Sequence, residues 1–154
     1  MSRLSAVLDA NLLIRMILAQ ADPELSLYRL FEAASNQRFD LILPEGVLSE
    51  FGHTVRSKPY FTKRLAEHQI VAFEDLLRRI GIVFSDAGVE IDRIVRDPKD
   101  DYLVACTIMA GARFLVTGDK DLLVLKEWLK SPEIVTAAEF LALIELDNGQ
   151  GITP

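Results

Sequence analysis

The chain has one cysteine, one tryptophan and two histidines in 154 residues, and these scarcities remove whole classes of explanation. With Cys106 alone, no intramolecular disulfide forms and no cysteine zinc cluster can assemble. His53 and His68 stand apart from other ligand types, so histidine-based zinc binding is not expected. Proline and glycine, at 6 and 8, are not enriched, which argues against a low-complexity chain. The longest nearly apolar stretch, Tyr102 to Ala112, falls well short of the roughly 20 residues that span a bilayer. The N-terminus meets a charge at Asp9 before any long apolar run, unlike a secretory signal. Together these absences predict a cytoplasmic protein with no membrane segment. Positive charge is also short, with 17 Lys+Arg against 23 Asp+Glu and a net charge of −6. Such a balance argues against gripping nucleic acid through the overall field. A nuclease that gathers carboxylates around cations remains compatible with it, because bound metal cancels local charge.

What is present is an alternation of short apolar runs and helical patterns. Ser5-Ala6-Val7-Leu8 is β-prone and is followed by Asp9-Ala10-Asn11, with Asn11 placed as the N-cap of an apolar helix through Leu18. A helix is expected from Leu25 to Ala34, a second strand at Phe39 to Leu43, and a helix from Pro44 through Val55. Thr62 to Ile80 is the longest amphipathic pattern, stopped by Gly81. Strands follow at Ile82 to Phe84 and Phe114 to Thr117, separated by the charged run Arg96 to Asp101 and a buried helix from Asp101 to Ala110. Leu122 to Leu129 reads as a helix, Ile134-Val135 as the last strand, and Ala137 to Leu146 as the closing helix. Strands alternating with helices imply a mainly parallel sheet covered on both faces. Residues 1–146 are therefore expected to form one domain, with 147–154 a mobile tail.

Within this pattern Asp9 and Asp119 each directly follow a short apolar strand, where parallel sheets collect their ligand sites. Asp101 opens a helix after the charged run, and Glu50 sits on a helix among Val47, Leu48 and Phe51. Taken singly, Asp101 is equally a first-turn charge favoured by the helix dipole, and Asp119 equally a turn residue. Asp9 could be only a cap, and Glu50 only an exposed helix residue. Gathered together, carboxylates repel and raise one another's pKa, so a cluster of them calls for a cation. Hard oxygen donors without His or Cys select Mg²⁺ or Mn²⁺. The reaction such a site suits is hydrolysis of a phosphodiester.

The motifs resemble those of PIN domains, especially the toxin-like PIN proteins of bacterial toxin–antitoxin pairs. Val7-Leu8-Asp9-Ala10-Asn11 looks like the family's opening strand and first acid, and Val47-Leu48-Ser49-Glu50 like its second. The run from Asp97-Pro98-Lys99-Asp100-Asp101 through Tyr102-Leu103-Val104-Ala105 resembles the third motif, and Phe114 through Leu123 the closing one. The likeness covers nearly the whole chain and implies a three-layer α/β/α fold and Mg²⁺- or Mn²⁺-dependent cleavage of RNA. It also implies a cognate antitoxin protein, and a homodimer is expected, for which the apolar helix through Leu18 offers a face. Carried over by position, Asp9, Glu50, Asp101 and Asp119 are the catalytic acids, with Asp9, Asp101 and Asp119 as metal ligands. Asn11 and Thr117 are polar supports, and Asp121 shares the work of Asp119, which stands where many relatives carry Asn. Asp97, Asp100 and Asp101 compete for the third place, and Asp101 is preferred because the apolar helix begins right after it.

Arg56, Lys58, Lys63 and Arg64 follow Glu50 and are candidates to meet RNA phosphates; the alternative is a solvated basic face. Leu12, Ile14, Met16, Ile17 and Leu18 are apolar on more than one side of their helix, as core packing or a partner groove would require. The competing reading of the whole is a PIN-like module that binds a protein through its acidic pocket or apolar groove with little catalysis. An aspartyl phosphatase is disfavoured, since Asn11 stands where such enzymes want a second Asp.

Overall fold

Ser5–Leu8 forms strand β1, and three of its four side chains are buried, as befits a central strand covered on both faces. A computed structural model of the chain describes residues 3–88 and 98–150. Asp40–Pro44 (β2) and Phe114–Val116 (β4) pair with β1 on either side, all parallel. Ile82–Phe84 (β3) extends the sheet beyond β2, and Glu133–Val135 (β5) beyond β4. The order is β3-β2-β1-β4-β5. At the edge, Ile82 and Val83 are exposed, so β3 lacks the double coverage of β1.

Among the described residues, eight helices connect and flank these strands: Ala10–Leu18 (α1), Ser26–Ser35 (α2), Glu45–Ser57 (α3), Pro59–Thr62 (α4), Glu67–Ile80 (α5), Pro98–Met109 (α6), Lys120–Leu123 (α7) and Ala137–Gln150 (α8). Helices α1 to α5 link β1 to β2 and β2 to β3, whereas α6 and α7 serve connections running the opposite way along the sheet. Right-handed crossovers put those two groups on opposite faces, giving the expected three-layer α/β/α architecture. Aromatic packing closes the core, with Phe140 edge-on to Phe39 at 5.0 Å and tilted against Phe114 at 5.3 Å. Cys106 lies buried, as its apolar surroundings imply. Among the described residues, no helix is long and apolar enough to cross a membrane.

Several boundaries differ from the sequence-based expectations, each for a local reason. Asp9, not Asn11, caps α1: its carboxylate accepts the Leu12 N–H at 2.9 Å, so the helix starts two residues earlier than an Asn11 cap allows. The long pattern ending at Ile80 is split. Pro59 opens α4, and the helix restarts only at Glu67, where the Gln69 side chain accepts the Ala66 N–H at 2.7 Å. The segment after α7 tightens into a 3₁₀ turn over Val124–Glu127 instead of one helix to Leu129. Helix α6 already includes Pro98, Lys99 and Asp100, ahead of the expected start at Asp101. Helix α8 runs to Gln150, so residues 147–150, expected in the tail, belong to it. On α1, Leu12, Ile14, Met16 and Ile17 are buried in the domain's own core and Leu18 partly so, which accounts for the apolar breadth of that helix without a partner.

Candidate active site

The chain leaves β1 toward β2 and leaves β4 toward β5, in opposite directions from two adjacent strands. The carboxyl ends of such a pair bound a crevice, the position where open α/β sheets bind ligands. Both strand ends carry an acid there. Asp9 follows β1, its N–H bonded to Val116 O at 3.2 Å, and Asp119 follows β4 after Thr117 and Gly118. Thr117, fully buried, ties the two together: its hydroxyl donates to Asp9 Oδ2 and accepts the Asp119 N–H at 3.0 Å. Asp119 Oδ1 in turn accepts the Asp121 N–H at 2.9 Å and caps α7.

Two helices supply the remaining walls of a cavity of about 270 Å³. From α3, Val47, Glu50 and Thr54 line it, spaced three and four residues apart on one helix face, and Lys58, the residue that ends the helix, joins them. From α6 come Lys99, Asp100, Tyr102 and Leu103. Asp9, Glu50, Asp100 and Asp119 thus share one cavity. Asp101, the residue expected in the third place, is buried to 1% exposure and does not line it. Successive helix positions point about 100° apart, and α6 is oriented so that Asp100 faces the crevice while Asp101 turns away from its lining. Asp97 lies outside the described residues.

Among the described residues, Asp100, Asp119 and Asp121 converge, with one carboxylate oxygen of each within 4.8 Å of the others. Asp9 stands beside them, on the same two cavities as Asp119. Burial pushes the Asp9 pKa up; hydrogen bonds from Thr117, Leu12 and Asn11 oppose that, and the negative charge of Asp119 adds to it. A cation would relieve both the burial cost and the repulsion. The donors are all carboxylate oxygens, with no thiol or imidazole in the lining, which suits Mg²⁺ or Mn²⁺. Behind the cavity, Tyr102 donates its hydroxyl to Asp86 Oδ2, which also accepts the Gly46 N–H at 2.8 Å, fastening α6 to the start of α3. That hydrogen bond is the main reason the Asp86 pKa lies below its ordinary value. A Cβ on Gly46 would lie 2.7 Å from Tyr102 Cζ, so only glycine admits this approach.

The four basic candidates separate. Lys58 lines the cavity. Arg56 does not: its guanidinium is held by Glu74 at 2.7 and 2.9 Å and by Glu67 at 3.1 Å, tying α3 to α5. Arg64 stacks over the Tyr60 ring, 3.6 Å from its centre, and Lys63 is exposed on the turn before α5. Asn11, exposed at the start of α1, lines the cavity with Asp9. Lys99, Thr54 and Tyr102 were not singled out by sequence reasoning. Thr54 was within reach, since it lies four residues after Glu50 on one face.

A family model described as PIN domain matches residues 5–121, from β1 through the acids that follow β4. The chain belongs to the PIN domain family. PIN domains are generally nucleases, and the matched span contains every acid of the crevice. Among solved structures, this PIN domain is similar to the crystal structure of VapBC2 from Rickettsia felis bound to a DNA fragment from their promoter. The match has a TM-score of 0.56 at 16% identity and covers 86% of this chain and 97% of that one. At that identity the likeness is one of fold. No curated protein matches the chain.

Proposed function

We propose that this PIN domain is a divalent-metal-dependent endoribonuclease and the toxin of a toxin–antitoxin pair. The observation that carries the reading is the shared cavity of Asp9, Glu50, Asp100 and Asp119 at the carboxyl ends of β1 and β4. Asp100, Asp119 and Asp121 would hold Mg²⁺ or Mn²⁺, with Asp9 beside them; Asp100 takes the third place that the sequence favoured for Asp101. When bound, such an ion lowers the pKa of its water and stabilises charge developing on phosphate oxygens. Thr117 orients Asp9 by a hydrogen bond that leaves carboxylate lone pairs facing the crevice. Glu50, half-buried on α3, is the base that takes a proton from the attacking water. Lys58 and Lys99 attract the RNA backbone, offsetting the acidic surroundings without reading sequence.

The pairing with an antitoxin, a homodimeric state and action in the cytoplasm belong to the same proposal. They are supported by the resemblance of the motifs and by the fold shared with VapBC2. The test is cleavage of single-stranded RNA by the purified protein and by Asp9→Asn, with Mn²⁺ and with EDTA. Cutting by the wild type in Mn²⁺, lost in EDTA and in the variant, is expected. Absence of cutting across several RNAs, with no metal-induced rise in melting temperature, would overturn the reading in favour of a protein-binding module.

A further inference from the structure

The carboxylate cavity shares Asp9, Asn11, Thr54, Lys58 and Asp119 with a larger one of about 480 Å³, so the two form a single cleft with the acids at its middle. The second arm runs between α1 and α4 and has a different character. Leu12, Ile14 and Leu18 give it an apolar floor, Tyr60 and Phe61 an aromatic wall, and Arg15 a cation. Tyr60 is 55% exposed although its ring is held in place. The Arg64 guanidinium lies 3.6 Å from the ring centre while its Nη1 donates to Tyr60 O at 2.7 Å, and Phe61 packs edge-on at 5.1 Å.

An immobilised, exposed aromatic ring flanked by cations suits a ligand that has both a flat π-face and a negative charge. An unpaired nucleotide has both. Bases splayed out of single strands stack on aromatic side chains and on guanidinium planes, and basic side chains take the phosphates. The geometry points to the α1–α4 arm as the subsite for one unpaired nucleotide adjoining the cut, with Tyr60, backed by Arg64, as the stacking platform and Arg15 and Lys58 as its phosphate contacts. This rests on the nuclease reading above. An apolar peptide segment would use the floor alone, whereas a nucleotide matches the exposed ring and the two cations together.

The test pairs protein and RNA changes on a short single-stranded RNA with one mapped cut. Cleavage in Mn²⁺ gives KM and kcat, and fluorescence anisotropy of the labelled RNA in EDTA gives binding without cleavage. Tyr60→Ala is expected to raise KM and weaken binding roughly 10-fold, within the contribution of one stacked base, while Tyr60→Phe retains both. An abasic residue beside the cut should cost the wild type about as much, and cost Tyr60→Ala nothing further. Unchanged unfolding midpoints establish that the variants are folded. The subsite is overturned if Tyr60→Ala binds and cuts like the wild type, if the two losses simply add, or if only inhibition by a protein partner is altered. RNA binding that depends on Tyr60 without any cutting keeps the subsite and defeats the nuclease reading. RNA cutting indifferent to Tyr60 does the reverse, and no RNA binding at all defeats both.

Discussion

Thr117 and Asp9, 108 residues apart in the chain, are joined by a buried hydrogen bond in which the threonine hydroxyl donates to the carboxylate. Because the same hydroxyl accepts the Asp119 N–H, one side chain sets the relation between the acids that end β1 and β4. Thr117→Val keeps the volume and removes both bonds. The variant should lose roughly 1.5–3 kcal/mol in urea unfolding, the range for a hydrogen bond to a charged group. It should also move the acidic limb of the pH–activity profile upward, since Thr117 is the largest influence holding the Asp9 pKa down against burial. An unmoved limb would show that Thr117 acts on packing alone.

Asp9 itself should make the metal-free protein pH-sensitive in a direction opposite to that of a salt-bridged acid. Its pKa is raised on folding, mainly by burial, so the folded state holds the proton more tightly than the unfolded one. That contribution is present below the unfolded pKa and is lost as pH rises through the raised folded value. In EDTA, the melting temperature of Asp9→Asn relative to wild type should therefore improve as pH goes from acid to neutral. Adding Mn²⁺ at neutral pH should raise the wild type more than the variant, because the ion replaces the missing positive charge. A relative melting temperature that falls toward neutral pH would contradict the burial argument.

Asp100 and Asp101 can be separated by replacing each with asparagine. Asp100→Asn should lower kcat on the order of 100-fold and reduce the metal-induced rise in melting temperature, since it removes a charge from the converging oxygens. Asp101 is buried with partners of its own and does not line the cavity. Its replacement should cost about 1–3 kcal/mol of stability while leaving the response to Mn²⁺ intact. The reverse pattern would restore Asp101 to the third place.

This ambiguity shows where the sequence stops being sufficient. Asp9 and Asp119 could be found because each directly follows a short apolar strand, and strand ends of a parallel sheet share an edge. Glu50 is placed mainly by the resemblance of Val47-Leu48-Ser49-Glu50 to a family motif, with the core neighbours Val47 and Phe51 as a lesser sign. The choice between Asp100 and Asp101 depends on how α6 is rotated about its axis, and a shift of one residue turns a side chain by about 100°. Both candidates satisfy every compositional criterion, and only the orientation of α6 separates them, with Asp100 in the cavity lining and Asp101 outside it. The ion pairs of Arg56 were hidden for a different reason. Its partners Glu67 and Glu74 lie 11 and 18 residues away, across a turn and a broken helix that the amphipathic pattern ran together. Periodicity reports which face is buried but not which opposite charge a long side chain reaches.

Lys58 and Arg56, two residues apart on neighbouring turns, should consequently behave as different kinds of residue. Lys58 lines both arms of the cleft, so Lys58→Ala should weaken binding to single-stranded RNA of any sequence. Losing one phosphate contact lowers the slope of log K against log salt by about 0.7 for a single strand. Arg56 is occupied by two carboxylates on α5, partly exposed to solvent, and its loss removes a tie between α3 and α5 instead. Arg56→Ala should cost about 0.5–1 kcal/mol in unfolding and leave the salt slope unchanged. Measuring both quantities on both variants gives crossed outcomes. A salt slope that drops in Arg56→Ala would mean that RNA draws the guanidinium away from Glu67 and Glu74, and that the basic stretch acts as one surface after all.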